Sequence, residues 1–377
     1  MQKIQKGGYP LSIVNEFIEL IKIDVESKNE RKLADKVIEK LKIIGCEVIE
    51  DDTKDKIGGN TGNIIARLKG NKEYSILLSA HLDRVSKGRN IKPRIVQNKI
   101  LSDGTTILAA DDVAGIVSIL DGLRKAKELR DRCNIEVIFS VCEEKGVTGS
   151  KYIDYSKLNS KIAYVFDSPG NIGRVINQAP TKCVIDVEFF GKPAHAGNEP
   201  EKGINAIKIL AKSLSKINEG RINKYTTSNF GIVSGGKATN VVCDYVKLTG
   251  EARSRDNEDL DKYLEYIKRV FNETAKENNT KVNININRNY ETFHIKEEEN
   301  ISKLLIKAME NLNIKWEFTP GGGGMDANRF NNNGIKAVGI ATGYKNNHTF
   351  KEEININDLK KAGDLVKEII IEASKLD

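Results

Sequence analysis

Three short aliphatic runs in this chain each lead straight into groups that ionise: residues 75–82 into His81 and Asp83, 135–142 into Glu143-Glu144, and 162–166 into Asp167. Runs of this length, rich in Ile, Leu and Val, read as strands buried on both faces, which requires a sheet covered by helices. A carboxylate or imidazole at the mouth of a buried strand is costly unless a cation or a proton neutralises it. The constraint is therefore double: an α/β layered sheet, with its charged groups gathered where the strands end. Open α/β sheets bind ligands at that edge.

Helical patterns alternate with the strands. One runs from Pro10 through Ile23, and Ser27-Lys28-Asn29-Glu30 predicts a capping box for a second helix that Gly45 stops. A strand at 63–68 and a helix over 112–129 complete the first α/β stretch. Between about Thr181 and Tyr290 the pattern changes. Residues 182–190, 240–251 and 282–287 alternate like half-exposed strands, while 204–217 and 259–278 read as amphipathic helices. These predict a small α+β domain, 178–290, inserted into a larger domain of 1–177 and 291–377. The larger domain resumes with a helix at 301–312, a glycine run at 321–324, a strand at 336–341 and a terminal helix at 356–374.

A length of 377 residues favours two domains, and 39% hydrophobic with 30% charged residues describes an ordinary globular chain. The net charge of +7 does not point to nucleic acid, because lysines interleave with glutamates on patterns such as 29–44, as on a solvated helix face. The excess suits attraction of a small anionic substrate. No apolar run reaches membrane-spanning length and none follows Met1 as a signal core would, so the expectation is a cytoplasmic protein without a membrane partner. Cys46, Cys133, Cys142, Cys183 and Cys243 are widely spaced within mostly apolar runs, as reduced core thiols would be.

The ionisable residues form a donor set for two metal ions. Zinc takes imidazole nitrogen and carboxylate oxygen, and a paired site needs a bridging carboxylate and a base for the bound water. His81 and Asp83 stand two apart at a strand end and leave the same face, so one can bind metal while the other orients it. Asp111-Asp112 enters a helix, where acids also serve as N-caps, between small residues Ala109-Ala110 and Ala114-Gly115. Glu143-Glu144 offers one ligand and one base. Asp167 closes a strand, and His348 follows a glycine-containing turn. His294 reads as a surface residue, whereas His195, in Gly191-Lys192-Pro193-Ala194-His195, sits on a turn of the inserted domain.

In this order the motifs Ser79-Ala80-His81-Leu82-Asp83, Ala110-Asp111-Asp112, Glu143-Glu144, Phe166-Asp167, Gly191 to His195, and His348 resemble a di-zinc exopeptidase family. It is the family of peptidase T, acetylornithine deacetylase, succinyl-diaminopimelate desuccinylase and aminoacylase, and the likeness is to its peptidase T-like branch. The resemblance implies a layered α/β catalytic domain with an inserted lid and dimerisation domain, two zinc ions per subunit, and a homodimer through the lid. Cobalt and manganese suit the same donors. It implies that His81 binds the first ion and His348 the second, that Asp111 bridges them, and that Glu144 and Asp167 each complete one. Glu143 becomes the general base, Asp83 the partner of His81, and the bond Asp111–Asp112 a cis peptide. His195, Asn240 and Arg253 match lid positions that stabilise the oxyanion or hold the substrate's carbonyl and carboxylate.

Two departures leave substrate specificity open: Val113 stands where a basic residue is common, and Ser168-Pro169 replaces the glycines of peptidase T itself. A neighbouring di-zinc aminopeptidase family shares the ligands but inserts its extra domain before the bridging aspartate; here the insert follows Asp167. The expected activity is removal of the N-terminal residue from short peptides, tripeptides foremost. The alternatives are a deacylase or dipeptidase using the same centre, and a non-catalytic binding protein on this scaffold.

Overall fold

The computed structural model describes residues 12–376. They fall into two compact units: one holds the chain up to Gln178, His294–Gly321 and the chain from Met325, and the other holds Ala179–Phe293 with Gly322–Gly324.

The first unit is built on a nine-stranded mixed sheet. At its centre Asn134–Ser140, Ser75–His81, Ile162–Ser168 and Lys336–Ala341 lie side by side and parallel. Nearly every residue of these four strands is buried, as aliphatic runs covered on both faces must be. Because the strands are parallel, their carboxyl ends share one edge. His81 is the last residue of its strand and Asp167 the next to last of its own. The helix Ala110–Lys127 crosses the strands Ser75–His81 and Ile162–Ser168, and the helix Ile356–Ala373 packs on it in turn. A Cβ at Gly115 would lie 2.2 Å from the Phe166 carbonyl oxygen, so the close passage of this helix over the sheet requires glycine there.

Several boundaries differ from expectation. Pro10 lies outside the described residues, and the first described helix is Ile13–Ile21. The capping box does not form. The helix Arg31–Ile44 does end at Gly45, but no side chain caps its start. Instead the Ser27 hydroxyl donates to Asp83 Oδ2 (2.6 Å), and Glu30 Oε1 accepts from the backbone N–H groups of Lys28 and Cys142 (2.8 and 3.0 Å). Buried tertiary partners outcompete the local cap. The strand 135–142 ends at Ser140, because Cys142 turns into the left-handed region at φ 54°. Short strands without a strong apolar pattern also form: Arg174–Ala179, Glu317–Pro320, and a four-stranded sheet of Arg94–Val96, Lys99–Leu101, Tyr344–Lys345 and Glu353–Asn355.

The second unit is a five-stranded antiparallel sheet, in the order Gly220–Arg221, Thr226–Gly235, Tyr245–Ser254, Thr181–Phe190, Lys281–Tyr290. Up to its last residue, the exposed Phe190, Thr181–Phe190 alternates between buried and half-buried residues. Its Cys183, Ile185, Val187 and Phe189 form one core with Leu260, Ile267 and Phe271 of the helix Asn257–Glu277 and Ile209 and Leu210 of the helix Ala206–Leu214. The strand expected at 240–251 begins at Tyr245, and Asn240 lies in the loop before it. In the glycine run, a Cβ on Gly324 would fall 2.1 Å from the Tyr290 ring, so only glycine fits beneath that aromatic side chain.

All five cysteines are free and buried. No helix of the described residues is long and apolar enough to cross a membrane.

Candidate metal centre

Five side chains converge at the carboxyl edge of the first unit's sheet. His81 Nε2 lies 3.0 Å from Asp111 Oδ1 and 3.6 Å from Asp167 Oδ1. His348 Nε2 lies 3.1 Å from Asp111 Oδ2 and 2.9 Å from Glu144 Oε1. The result is two three-donor sets, His81–Asp111–Asp167 and Asp111–Glu144–His348, each compact enough for one ion and joined through the two oxygens of Asp111. His81 Nδ1 sits 3.1 Å from the Asp83 carbonyl oxygen, the position of an N–H donor, which leaves the Nε2 lone pair facing the carboxylates.

Each donor is held by an identifiable element. His81 is fixed by its strand, and its N–H bonds to Asp112 Oδ2 (3.0 Å), while Asp112 Oδ1 takes the Gly115 N–H. The Asp111–Asp112 peptide bond is cis. Glu143 and Glu144 occupy the turn after Asn134–Ser140, where their N–H groups bond to Asp83 Oδ1 and Oδ2 (2.8 and 3.2 Å). The Asp83 carboxylate thus anchors the Glu143-Glu144 backbone more closely than it approaches His81 Nδ1, 3.5 Å away. His348 rides on the loop between the paired strands Tyr344–Lys345 and Glu353–Asn355. On the same loop, Asn347 Nδ2 donates to Asp111 Oδ2 (2.8 Å), and Tyr344 Oη at the loop's base donates to Asp167 Oδ1 (3.3 Å).

Glu352 was not singled out in the sequence, where Lys351-Glu352-Glu353 reads as a surface charge run. Its carboxylate is buried and accepts the N–H groups of Leu108, Ala109 and Asp111 (2.8, 2.9 and 3.0 Å), so it holds the segment that delivers the shared aspartate. Alanine at Glu352 leaves three buried donors unpaired. The expected result is a loss of roughly 3 kcal/mol or more in unfolding free energy and a roughly tenfold or larger loss of metal affinity. Denaturant unfolding and metal titration check both, and unchanged values in each would refute the role. Asp326, also buried, accepts from the Ser140 and Ser150 hydroxyls beneath the centre (2.5 Å each).

Acids outnumber bases here, and the electrostatics follow. Burial pushes Asp167 up to about 7 although His81 adjoins it. Burial, with Asp167 and Glu144 adding repulsion, holds Glu143 well above the usual carboxylate range, and burial also raises Glu144. Hydrogen bonds to Asp111 and Glu144 push His348 up to about 10. His81 is buried, which opposes a proton, yet Asp167 and Asp111 hold its affinity well above normal. So many buried carboxylates must be neutralised by protons or by cations. Imidazole nitrogen with carboxylate oxygen is a donor set that divalent transition ions accept, so the residues fit a two-metal centre.

The remaining candidates belong to the second unit. His195 is exposed, and its Nδ1 accepts from the N–H groups of Gly197 and Asn198 (3.2 and 3.1 Å), which puts the ring proton on Nε2. Asn240 lies beside it through the backbone: Ala196 N–H bonds to the Asn240 carbonyl (2.9 Å) and His195 bridges to Val241. Arg253, half-buried on Tyr245–Ser254, donates from Nε to Glu251 (2.7 Å) and from Nη1 to the Gly322 carbonyl (3.5 Å).

With this geometry in hand, likeness to known proteins becomes informative. A family model described as a peptidase dimerisation domain matches residues 183–279, and one described as peptidase family M28 matches 63–182, which carry His81, Asp111, Glu144 and Asp167 but not His348. The chain is 38% identical to the uncharacterized protein YqjE of Bacillus subtilis, over 96% of this chain and 98% of that one. Aminopeptidase PepT of Bacillus cereus is 38% identical with a TM-score of 0.88 over 96% and 98% of the two chains. A tripeptidase of Staphylococcus aureus is 33% identical with a TM-score of 0.91 over 97% and 98%. The M28 match stops where the inserted antiparallel sheet begins, and the dimerisation-domain match covers that insert. Paired three-donor sets, an insert after Asp167 and identity sustained from end to end have one conclusion: this chain belongs to the M20 family of metallopeptidases.

Proposed function

We propose that the chain is a di-zinc aminopeptidase that releases the N-terminal residue of short peptides, with tripeptides its main substrates. The observation that carries the reading is the pair of donor sets sharing Asp111 beside buried Glu143, in a chain 33% identical to a tripeptidase over nearly its whole length. His81, Asp111 and Asp167 would hold one ion, and Asp111, Glu144 and His348 the other; bound there, such ions would supply Lewis acidity toward the scissile carbonyl and the attacking water. Glu143 accepts the proton of that water and returns it to the leaving amine, a task its raised proton affinity suits. Asp83 keeps His81 in the required tautomer and holds the backbone of Glu143. His195 donates its Nε2 proton to the developing oxyanion, Asn240 bonds to the substrate's carbonyl, and Arg253 binds its carboxylate.

The test is to supply the zinc-loaded protein with matched tripeptides, dipeptides and N-acetyl amino acids and to identify products by mass spectrometry. Release of the N-terminal residue from tripeptides, fastest among the three sets, is the expected result. Cleavage confined to N-acetyl amino acids or to dipeptides would replace this reading with a deacylase or a dipeptidase.

A further inference from the structure

We propose that a basic cleft beside the metal centre receives the side chain of the substrate's N-terminal residue and selects an acidic one, glutamate or aspartate; this rests on the aminopeptidase reading above. The cleft is shallow and open to solvent, measures about 370 Å³, and lies between the segment after Asp167 and the segment before His348. Pro169, Gly170, Asn171, Arg174, Lys345 and Asn346 line it, two cations and two amides with no carboxylate among them.

Its walls are tied to the donors on both sides. Gly170 N–H donates to the Tyr344 carbonyl (2.8 Å), and the hydroxyl of the same tyrosine donates to Asp167 Oδ1. Asn346 precedes Asn347, whose side chain bonds to Asp111 Oδ2. In the proposed pose, a peptide whose first carbonyl faces these donors places its first side chain in this cleft.

Arg174 is the specificity determinant. Its guanidinium is fixed at two points, Nη1 to the Pro169 carbonyl (2.9 Å) and Nε to Thr319 Oγ1 (3.0 Å), so Nη2 is presented in an orientation set before any ligand arrives. An arginine fixed in this way loses little freedom on meeting a carboxylate. Lys345, exposed on the opposite segment, supplies a second and more mobile charge. An adjoining cavity of about 550 Å³ shares Asn171 and Arg174 with the cleft and is also lined by Glu317 and Trp316, and Asp358 faces Lys345 closely enough for its carboxyl to feel that charge. Trp316 is the only tryptophan in the chain, so its emission reports on that neighbourhood.

The decisive comparison is Glu-Gly-Gly against Gln-Gly-Gly, which match in shape and differ in charge. The zinc-loaded enzyme should favour the glutamyl peptide by about tenfold in kcat/KM, expressed mainly in KM, as a charge-assisted contact predicts. Arg174→Met should collapse the ratio toward one. Lys345→Met, at an exposed position that leaves the Arg174 hydrogen bonds intact, should reduce it. Independently of turnover, the Glu143→Ala protein titrated with both peptides by Trp316 emission and calorimetry should bind the glutamyl peptide about tenfold tighter. Equal binding of the pair, or a preference that survives both variants, overturns the cleft assignment. Tight, charge-selective binding without cleavage of any tripeptide would instead overturn the aminopeptidase reading and leave the cleft standing.

Discussion

Alanine in place of Glu143 is expected to lower kcat on a tripeptide by roughly 10³-fold while metal content stays at that of the wild type. The two effects separate because Glu143 belongs to neither donor set, although its neighbour Glu144 belongs to one. Its backbone N–H, not its carboxyl, is what Asp83 holds, so the turn that places Glu144 survives the substitution. Stability should hold or rise slightly, since the variant removes a buried group that burial, Asp167 and Glu144 all disfavour as an anion. Alanine at His81 or Asp111 should behave differently and lose metal together with activity. Steady-state kinetics, elemental analysis and thermal unfolding on the same preparations check the set. Turnover retained in the Glu143 variant would remove it from the proton-transfer role.

Stripping the metal should cost more stability the higher the pH. Asp167 is raised from 3.8 to about 7, and Glu30 and Glu352 from 4.5 to about 7, chiefly by burial. Over that window the folded chain binds more protons than the unfolded chain, so the metal-free protein loses stability as pH rises through it. His348, raised from 6.5 to about 10 by its carboxylate neighbours, acts in the same direction: its contribution is full below 6.5 and lost as pH passes 10. Metal ions require the deprotonated donors, so their stabilisation grows with pH. The gap in Tm between loaded and stripped protein should widen from pH 5 to pH 8, reaching on the order of 5 °C if free metal exceeds Kd a thousandfold. A gap that stays constant or narrows would contradict the donor assignment.

The strands that carry the centre were legible because their residues answer to one demand, burial on both faces, and Lys336–Ala341 matches its expected limits. His81 and Asp167 stood out as charged interruptions of that demand. What the sequence concealed are groups whose partners lie far along the chain. Glu30 is drawn off by Cys142, Ser27 by Asp83, and Glu352 by Leu108, Ala109 and Asp111, separations that no local pattern encodes. The strand Thr226–Gly235 was hidden for another reason. Most of it is exposed and a bulge interrupts its register near Asn229, so it shows little apolar alternation to read. Asn240 was misplaced because Val241-Val242-Cys243 continues the apolar character of the following strand, while its backbone pairs instead with the His195 segment.

Three non-glycine residues at the centre adopt the left-handed backbone region: Ala109 at φ 61°, Cys142 at φ 54° and His348 at φ 63°. Each costs on the order of 1 kcal/mol or more. Buried carboxylates secure two of them, Glu352 at Ala109 and Glu30 at Cys142. The spacing of the donors is thus written into the chain's own bends and does not wait for an ion to impose it. A cavity with fixed spacing discriminates by ionic radius as well as by donor chemistry, so ions close to zinc in size should exchange freely while much larger ones bind without bringing the two sets into working register.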